Sequence, residues 1–263
     1  MPTLAANGME LYYERRGEGP RLLFCNGSGA NLETSAPIVD AFAARFDVLA
    51  HDQRGLGKTG GTGPFSMAEY AADALALLDA LGWYTTRLIG VSFGGMVAQE
   101  MAVTWPERVS RLALLCTSPG GGGGGSYPLH ELAALSDEER ATRYPTLLDT
   151  RFTPAWLAAH PSDRAMVEMV AERRRAPASP AAAEGAAAQL EARRGHDVYD
   201  RLPRISCPTL VACGRYDGIA PPENSQAIAA QVPRAELRTY DGGHAFFFQD
   251  PTVVPEVLDW LAE

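Results

Sequence analysis

The 263-residue chain reads as an α/β protein, a mostly parallel central sheet flanked by helices and carrying a helical insertion. Three observations predict this. Short continuous apolar runs (Leu22-Leu23-Phe24-Cys25, Val48-Leu49-Ala50, Leu112-Ala113-Leu114-Leu115 and Leu210-Val211-Ala212-Cys213) recur between amphipathic segments, as strands covered on both faces do. A Gly-x-Ser-x-Gly pentapeptide, Gly90-Val91-Ser92-Phe93-Gly94, joins a strand-like run to a helix-like one. Between Pro119 and about Pro203 the alternation lapses and no strand pattern occurs, so the core is expected in 1–118 and 204–263, with the insertion at 119–203.

Glu10 to Arg16 and Arg21 to Asn26 are the first strands, expected as a pair near the sheet edge, and Phe46 to His51 follows. Met67 to Leu81 is the clearest helix: Ser66 and Glu69 have capping-box spacing, and Gly82 stops it. Arg87 to Val91 leads into the pentapeptide; the helix after it runs through Met96 to Val103, with Pro106 marking its end. Arg111 to Thr117, Pro208 to Gly214 and Glu236 to Tyr240 complete the sheet. The insertion opens on six glycines, Gly120 to Gly125, expected to act as a flexible hinge. Beyond them Leu132, Leu147, Met166 and similar residues supply enough apolar volume to predict order, with Arg173 to Gly185 the weakest part.

A net charge of −9 and a pI near 5.1 argue against a nucleic-acid surface. Cys25, Cys116, Cys207 and Cys213 lie in or beside apolar runs without metal-ligand spacing, so buried free thiols and a reducing cytoplasm are expected. The N-terminus has neither a basic start nor an apolar stretch, and nothing approaches 18 consecutive apolar residues. Neither a signal peptide nor a membrane span is expected. No His-x-x-x-His, Cys-x-x-Cys or dinucleotide fingerprint occurs, so neither a metal nor a cofactor is expected.

At a strand-to-helix turn Gly90 and Gly94 leave room for the backbone, and the Ser92 hydroxyl projects outward. A serine hydroxyl is a poor nucleophile at neutral pH and needs a base within hydrogen-bond reach. Of the five histidines, His51 ends a strand and His130, His160 and His196 fall in the insertion. His244 follows Gly242-Gly243 in the loop after the last strand, the sheet edge where reactions gather. That base needs a carboxylate to hold its tautomer. Asp217 ends the Gly214-Arg215-Tyr216 turn at the same edge, whereas Asp241 is close enough to His244 in sequence to serve the turn itself.

Ser92, Asp217 and His244 stand in the order nucleophile, acid, base, and over its whole length the chain resembles the α/β-hydrolase fold superfamily. Gly214-Arg215-Tyr216-Asp217-Gly218-Ile219-Ala220-Pro221 looks like the family's acid loop and Gly243-His244 its base loop. Asp52-Gln53-Arg54-Gly55-Leu56-Gly57-Lys58-Thr59 looks like a structural loop of the family, with Asp52 and Arg54 expected as a local ion pair. The insertion after Thr117 is similar to the cap of capped members. The resemblance implies an oxyanion hole from the backbone N–H groups of Ser28 and Phe93. Where the family usually has His-Gly this chain has Asn26-Gly27, which resembles the 3-oxoadipate enol-lactonase group. Family members that open epoxides or displace halide carry Asp at the elbow, so Ser92 points to acyl chemistry.

The expected function is therefore hydrolysis of a small-molecule ester or lactone through an acyl-enzyme on Ser92. Tyr127, Phe152, Trp156, Phe246 and Phe247 are candidates for the substrate pocket, with ordinary packing as the alternative for each. A carboxylate-bearing lactone would need an arginine there, and the insertion offers several. Carbon–carbon bond hydrolysis of ring-cleavage products, acyl transfer or thioester hydrolysis, and ligand binding by a retained triad are the alternatives.

Overall fold

The computed structural model describes residues 2–175 and 179–263. Strands β1 (Thr3–Ala6) and β2 (Met9–Arg16) form a hairpin about Asn7-Gly8, where φ is +47° and +74°. Positive φ at both central residues is what a tight hairpin turn with right-handed strand twist requires, and Asn-Gly supplies it. Strand β1 was not expected. Its Thr-Leu-Ala-Ala is short and poor in strand formers, and the Asn-Gly turn carries the signal.

The chain continues through β3 (Arg21–Cys25), α1 (Leu32–Ala43), β4 (Asp47–His51), α2 (Met67–Ala80), β5 (Thr86–Val91), α3 (Phe93–Thr104) and β6 (Val109–Leu115). Then come α4 (Asp137–Leu148), α5 (Pro154–Ala159), α6 (Pro161–Arg175) and α7 (Pro180–Arg194). The last elements are β7 (Thr209–Gly214), α8 (Pro222–Gln231), β8 (Ala235–Tyr240), α9 (Phe246–Gln249) and α10 (Val253–Ala262). The eight strands lie in the order β1-β2-β4-β3-β5-β6-β7-β8. The β1/β2 and β2/β4 pairings are antiparallel and the other five parallel.

The first two expected strands are thus not a pair. Strand β2 pairs with β4, and β3 lies inside the sheet between β4 and β5. Leu22 to Cys25 are buried, which suits an interior strand, and α1 carries the crossover that parallel β3 and β4 need.

Successive strand residues point to opposite faces, and both faces are covered. Leu23, Leu49, Leu88, Leu112 and Val211 pack under α2, α3 and α8. Their neighbours Leu22, Val48, Ile89, Ala113 and Leu210 pack under α1 and α10. The expected capping box is present: Ser66 Oγ accepts from Glu69 N at 3.3 Å, and Glu69 Oε2 accepts from Ser66 N at 2.8 Å. The four cysteines are buried and free, and no helix among the described residues is long and apolar enough to cross a membrane.

Between β6 and β7 the described residues form helices and short 3₁₀ turns, with a lone bridge between Gly120 and Asp197. Leu132, Leu147, Leu148, Phe152 and Ile219 form a small apolar core there. Of the stretch expected to be weakest, α7 begins at Pro180, and 176–178 lie outside the described residues. The six glycines are not an open tether. Gly121–Gly123 make a 3₁₀ turn, the Gly120 backbone lies against His196 and Asp197, and the Tyr199 ring covers Gly122 and Gly123 so closely that a Cβ at Gly123 would clash. Glycine is used here for close contact rather than for freedom.

Candidate active site

Strand β5 ends at Val91 and α3 begins at Phe93, so Ser92 alone makes the turn, with φ +55° and ψ −115°. That conformation is strained for a non-glycine residue and persists because its surroundings hold it. The Ser92 N–H donates to Leu115 O at 2.8 Å, and its carbonyl accepts from Thr117 Oγ1 at 2.8 Å and from Gly95 N at 2.9 Å. A Cβ at Gly90 would collide with the Gly94 carbonyl, and one at Gly94 with the Cys25 and Asn26 carbonyls. Both glycines are therefore a steric necessity of the pentapeptide.

The structure brings Ser92, His244 and Asp217 together from three strand ends. Ser92 Oγ donates to His244 Nε2 at 3.0 Å, and His244 Nδ1 donates to Asp217 Oδ2 at 2.8 Å. The other Asp217 oxygen accepts from the backbone N–H groups of Ile219 and Ala220, each at 2.8 Å, so the fully buried carboxylate has fixed orientation. The segment after β6 steadies both loops: Leu148 O accepts from His244 N at 2.6 Å and Leu147 O from Gly218 N at 3.1 Å. Asp241 is exposed and pairs with Arg151 Nη1 at 3.4 Å, away from the relay. Burial pushes the His51 and His196 imidazoles down to about 4, which makes both too weakly basic to hold a proton taken from a serine.

The loop at Asn26-Gly27-Ser28-Gly29 lies beside the elbow; a Cβ at Gly27 would stand 3.7 Å from Ser92 Cβ. Two glutamines hold it. Gln189 Oε1 accepts from Gly29 N at 2.7 Å, Gln189 Nε2 donates to Gln53 Oε1 at 2.6 Å, and Gln53 Nε2 donates to Asn26 O at 3.1 Å. As the first residue of α3, Phe93 has an N–H without a helical acceptor, directed with the helix's positive end toward the elbow. Ser28 Oγ is buried without a partner in this loop. Gln53 and Gln189 were not singled out from the sequence. The available signal is the row Gly185, Gln189, Arg193 at four-residue spacing on one helix face.

Two expectations change in the Asp52–Thr59 loop and the pocket. Asp52 and Arg54 are not an ion pair. Asp52 accepts from the N–H groups of Leu32 and Lys58, each at 2.7 Å, and so closes its loop, while Arg54 forks onto buried Asp73 at 2.6 and 2.7 Å. Phe246 and Phe152 do not line a pocket, because at 0% and 1% exposure they present no surface to a ligand. Phe246 stacks on Tyr240 in the core, and Phe152 sits in the small core of the insertion. Truncating Phe246 to alanine is accordingly expected to cost about 3–5 kcal/mol of stability, read as a lowered unfolding midpoint. A change in KM at unchanged stability would contradict this placement.

The other three aromatic candidates are engaged elsewhere. Tyr127 lies under the Arg143 guanidinium, Trp156 stacks on His160 and donates to Asp163, and Phe247 packs against Phe246 and Phe248. None of the five lines the cavity that reaches α3 at Met96, which is lined by Ser118, Ser126, His130, Arg193 and His196 among others. Among the described residues no three His, Cys, Asp or Glu side chains are grouped to hold a metal ion.

Comparison with known proteins agrees with this architecture. The family model described as alpha/beta hydrolase fold matches residues 20–251. A protein of Azorhizobium caulinodans that bears the name carbamate hydrolase RutD is 29% identical, over 98% of this chain and 97% of its own. The 3-oxoadipate enol-lactonase 2 of Acinetobacter baylyi is 28% identical, over 95% and 91%. Among solved structures, the enol-lactonase from Burkholderia xenovorans superposes with a TM-score of 0.81 at 25% identity, covering all of both chains.

Proposed function

The chain belongs to the α/β-hydrolase fold family, and from that premise we propose that it is a serine hydrolase cleaving a small carboxylic ester or lactone. The observation that carries this is the unbroken relay from Ser92 Oγ through His244 to Asp217, with the nucleophile on a strained turn at a helix N-terminus. His244 takes the Ser92 proton as Oγ attacks the carbonyl carbon. The N–H groups of Phe93 and Ser28 meet the oxyanion, which carries charge only in the transition state and the tetrahedral intermediate. His244 then gives its proton to the leaving oxygen, and an acyl group remains on Ser92. Water, deprotonated by the same imidazole, releases the acid in a second addition and collapse. Asp217 holds the ring in the tautomer that both steps need and stabilises its positive charge. The segment between β6 and β7 acts as a cap: α7 ties down the oxyanion loop through Gln189, and Leu147 and Leu148 brace the acid and base loops.

A fluorophosphonate tests the reading without a known substrate, since an activated serine displaces fluoride and forms a stable Ser–O–P bond. One adduct per chain is expected by intact mass, mapping to Ser92 and absent after heat denaturation. A native protein left unlabelled, or labelled at another serine, would rule out Ser92 as nucleophile.

A further inference from the structure

An arginine offers a carboxylate two parallel N–H groups, on Nε and Nη2, spaced to match its two oxygens. Among the described residues Arg15, Arg54 and Arg151 have that edge filled by both oxygens of Asp47, Asp73 and Asp149, at 2.5 to 2.9 Å, and Arg16 has it on one oxygen of Glu14. Arg193 has the same edge empty. It is 8% exposed, and both Nε and Nη2 are buried without a hydrogen-bond partner. Arg111 and Arg140 leave only Nε unmet, because their Nη2 groups reach Glu263 and the Leu135 carbonyl. Burial pushes the Arg193 guanidinium down to about 10, which still leaves it charged at neutral pH. A buried cation without an anion on its donor edge is costly, and that cost is relieved when an anion arrives.

The position of Arg193 follows from α7. Gly185, Gln189 and Arg193 stand four residues apart and share one face. Gly185 rests on Gly55 and Gln189 on Gly29, so Arg193 continues the row toward the elbow. There it lines a cavity of roughly 190 Å³ with Met96, Ser118, Ser126, His130 and His196, the room of about six water molecules. Met96 lies four residues along α3 from Ser92, a rise of about 6 Å, and the negative field of Asp217 reaches the guanidinium. Neither aspartate nor glutamate lines the cavity among the described residues, and His196 is neutral.

We propose that Arg193 anchors a carboxylate carried by the substrate, a few bonds from the carbonyl that Ser92 attacks. The assignment rests on the serine-hydrolase reading and narrows it to half-esters and carboxylated lactones. Monomethyl and dimethyl glutarate share a chain and an ester and differ by one negative charge. The wild-type protein should favour the monoester in kcat/KM by roughly 10- to 100-fold, the worth of a charge-assisted hydrogen bond. Arg193→Gln should lose that preference and Arg193→Lys recover part of it.

Calorimetry on Ser92→Ala protein removes hydrolysis from the question. Glutarate should bind and glutaramide should not, and adding Arg193→Gln should weaken glutarate by a similar factor. An Arg193→Gln protein that keeps the preference overturns the proposal. So does equal binding of glutarate and glutaramide with Arg193 intact, a comparison that does not depend on the variant folding. Glutarate binding through Arg193 without turnover of any ester would overturn the serine-hydrolase reading and leave the anion site standing.

Discussion

Replacing Ser92 by alanine is expected to lower kcat/KM for p-nitrophenyl acetate by about 10⁴- to 10⁶-fold, roughly 5–8 kcal/mol of transition-state stabilisation. The loss is large because in the proposed mechanism the hydroxyl is the atom that bonds to carbon. His244 would remain held by Asp217 at 2.8 Å, but its Nε2 would lose the hydroxyl that donates to it at 3.0 Å. The small remainder should come from the oxyanion donors and from bound water. The fold should be indifferent: alanine removes one oxygen, while the contacts that hold the strained turn are backbone groups of Ser92 with Leu115, Thr117 and Gly95. Initial rates with a melting curve on the same sample decide it. A stable variant with more than a tenth of wild-type activity would remove the nucleophile assignment.

Asp217→Asn is the second large effect, expected at about 10³- to 10⁴-fold in kcat with little change in KM. The size follows from which end of the amide faces the histidine. Ile219 and Ala220 direct two N–H groups at one oxygen of residue 217, so the asparagine oxygen must sit there and the NH₂ must face His244 Nδ1. A donor opposite Nδ1 forces the proton onto Nε2, and Nε2–H cannot accept from Ser92. The variant keeps its geometry and has the wrong tautomer. Asp241→Asn is the control, since that carboxylate is exposed and bonds Arg151; it should stay within about twofold of wild type. Reversal of the two results would move the acid to Asp241.

How legible each part was in the sequence depended on whether its cause is local. The elbow could be read because its requirements are steric and lie within five residues. The capping box at Ser66 and Glu69 and the buried strands could be read from spacing and apolar runs. Strand β1 has a Thr-Leu-Ala-Ala sequence that resists assignment by composition, and only its Asn-Gly turn marks it. Adjacency along the chain favours a hairpin of β2 and β3, whereas α1 carries the chain over to β4 and leaves β3 inside the sheet.

The same division runs through the site. Ser92, His244 and Asp217 are candidates by chain order and by their places at strand ends, and the parallel sheet brings those ends and side chains together. Proximity in sequence pairs Arg54 with Asp52, and the fold gives each a different partner because Asp73 lies buried within reach of the guanidinium. Phe152 and Phe246 have the composition of pocket residues and the burial of core residues, a distinction no local pattern carries.

Gln189 and Arg193 lie in an alanine-rich helix where only their four-residue spacing from Gly185 marks them. They acquire meaning only because Gly185 lets α7 rest on Gly55, which turns that face toward a loop about 160 residues earlier. Fold class, elbow and triad order rest on short-range sterics and on periodicity, which a sequence displays directly. Which arginine at the cavity is left without a partner on its donor edge, and which aromatics are closed to a ligand, rest on how separate helices pack, and packing is set by the whole core at once.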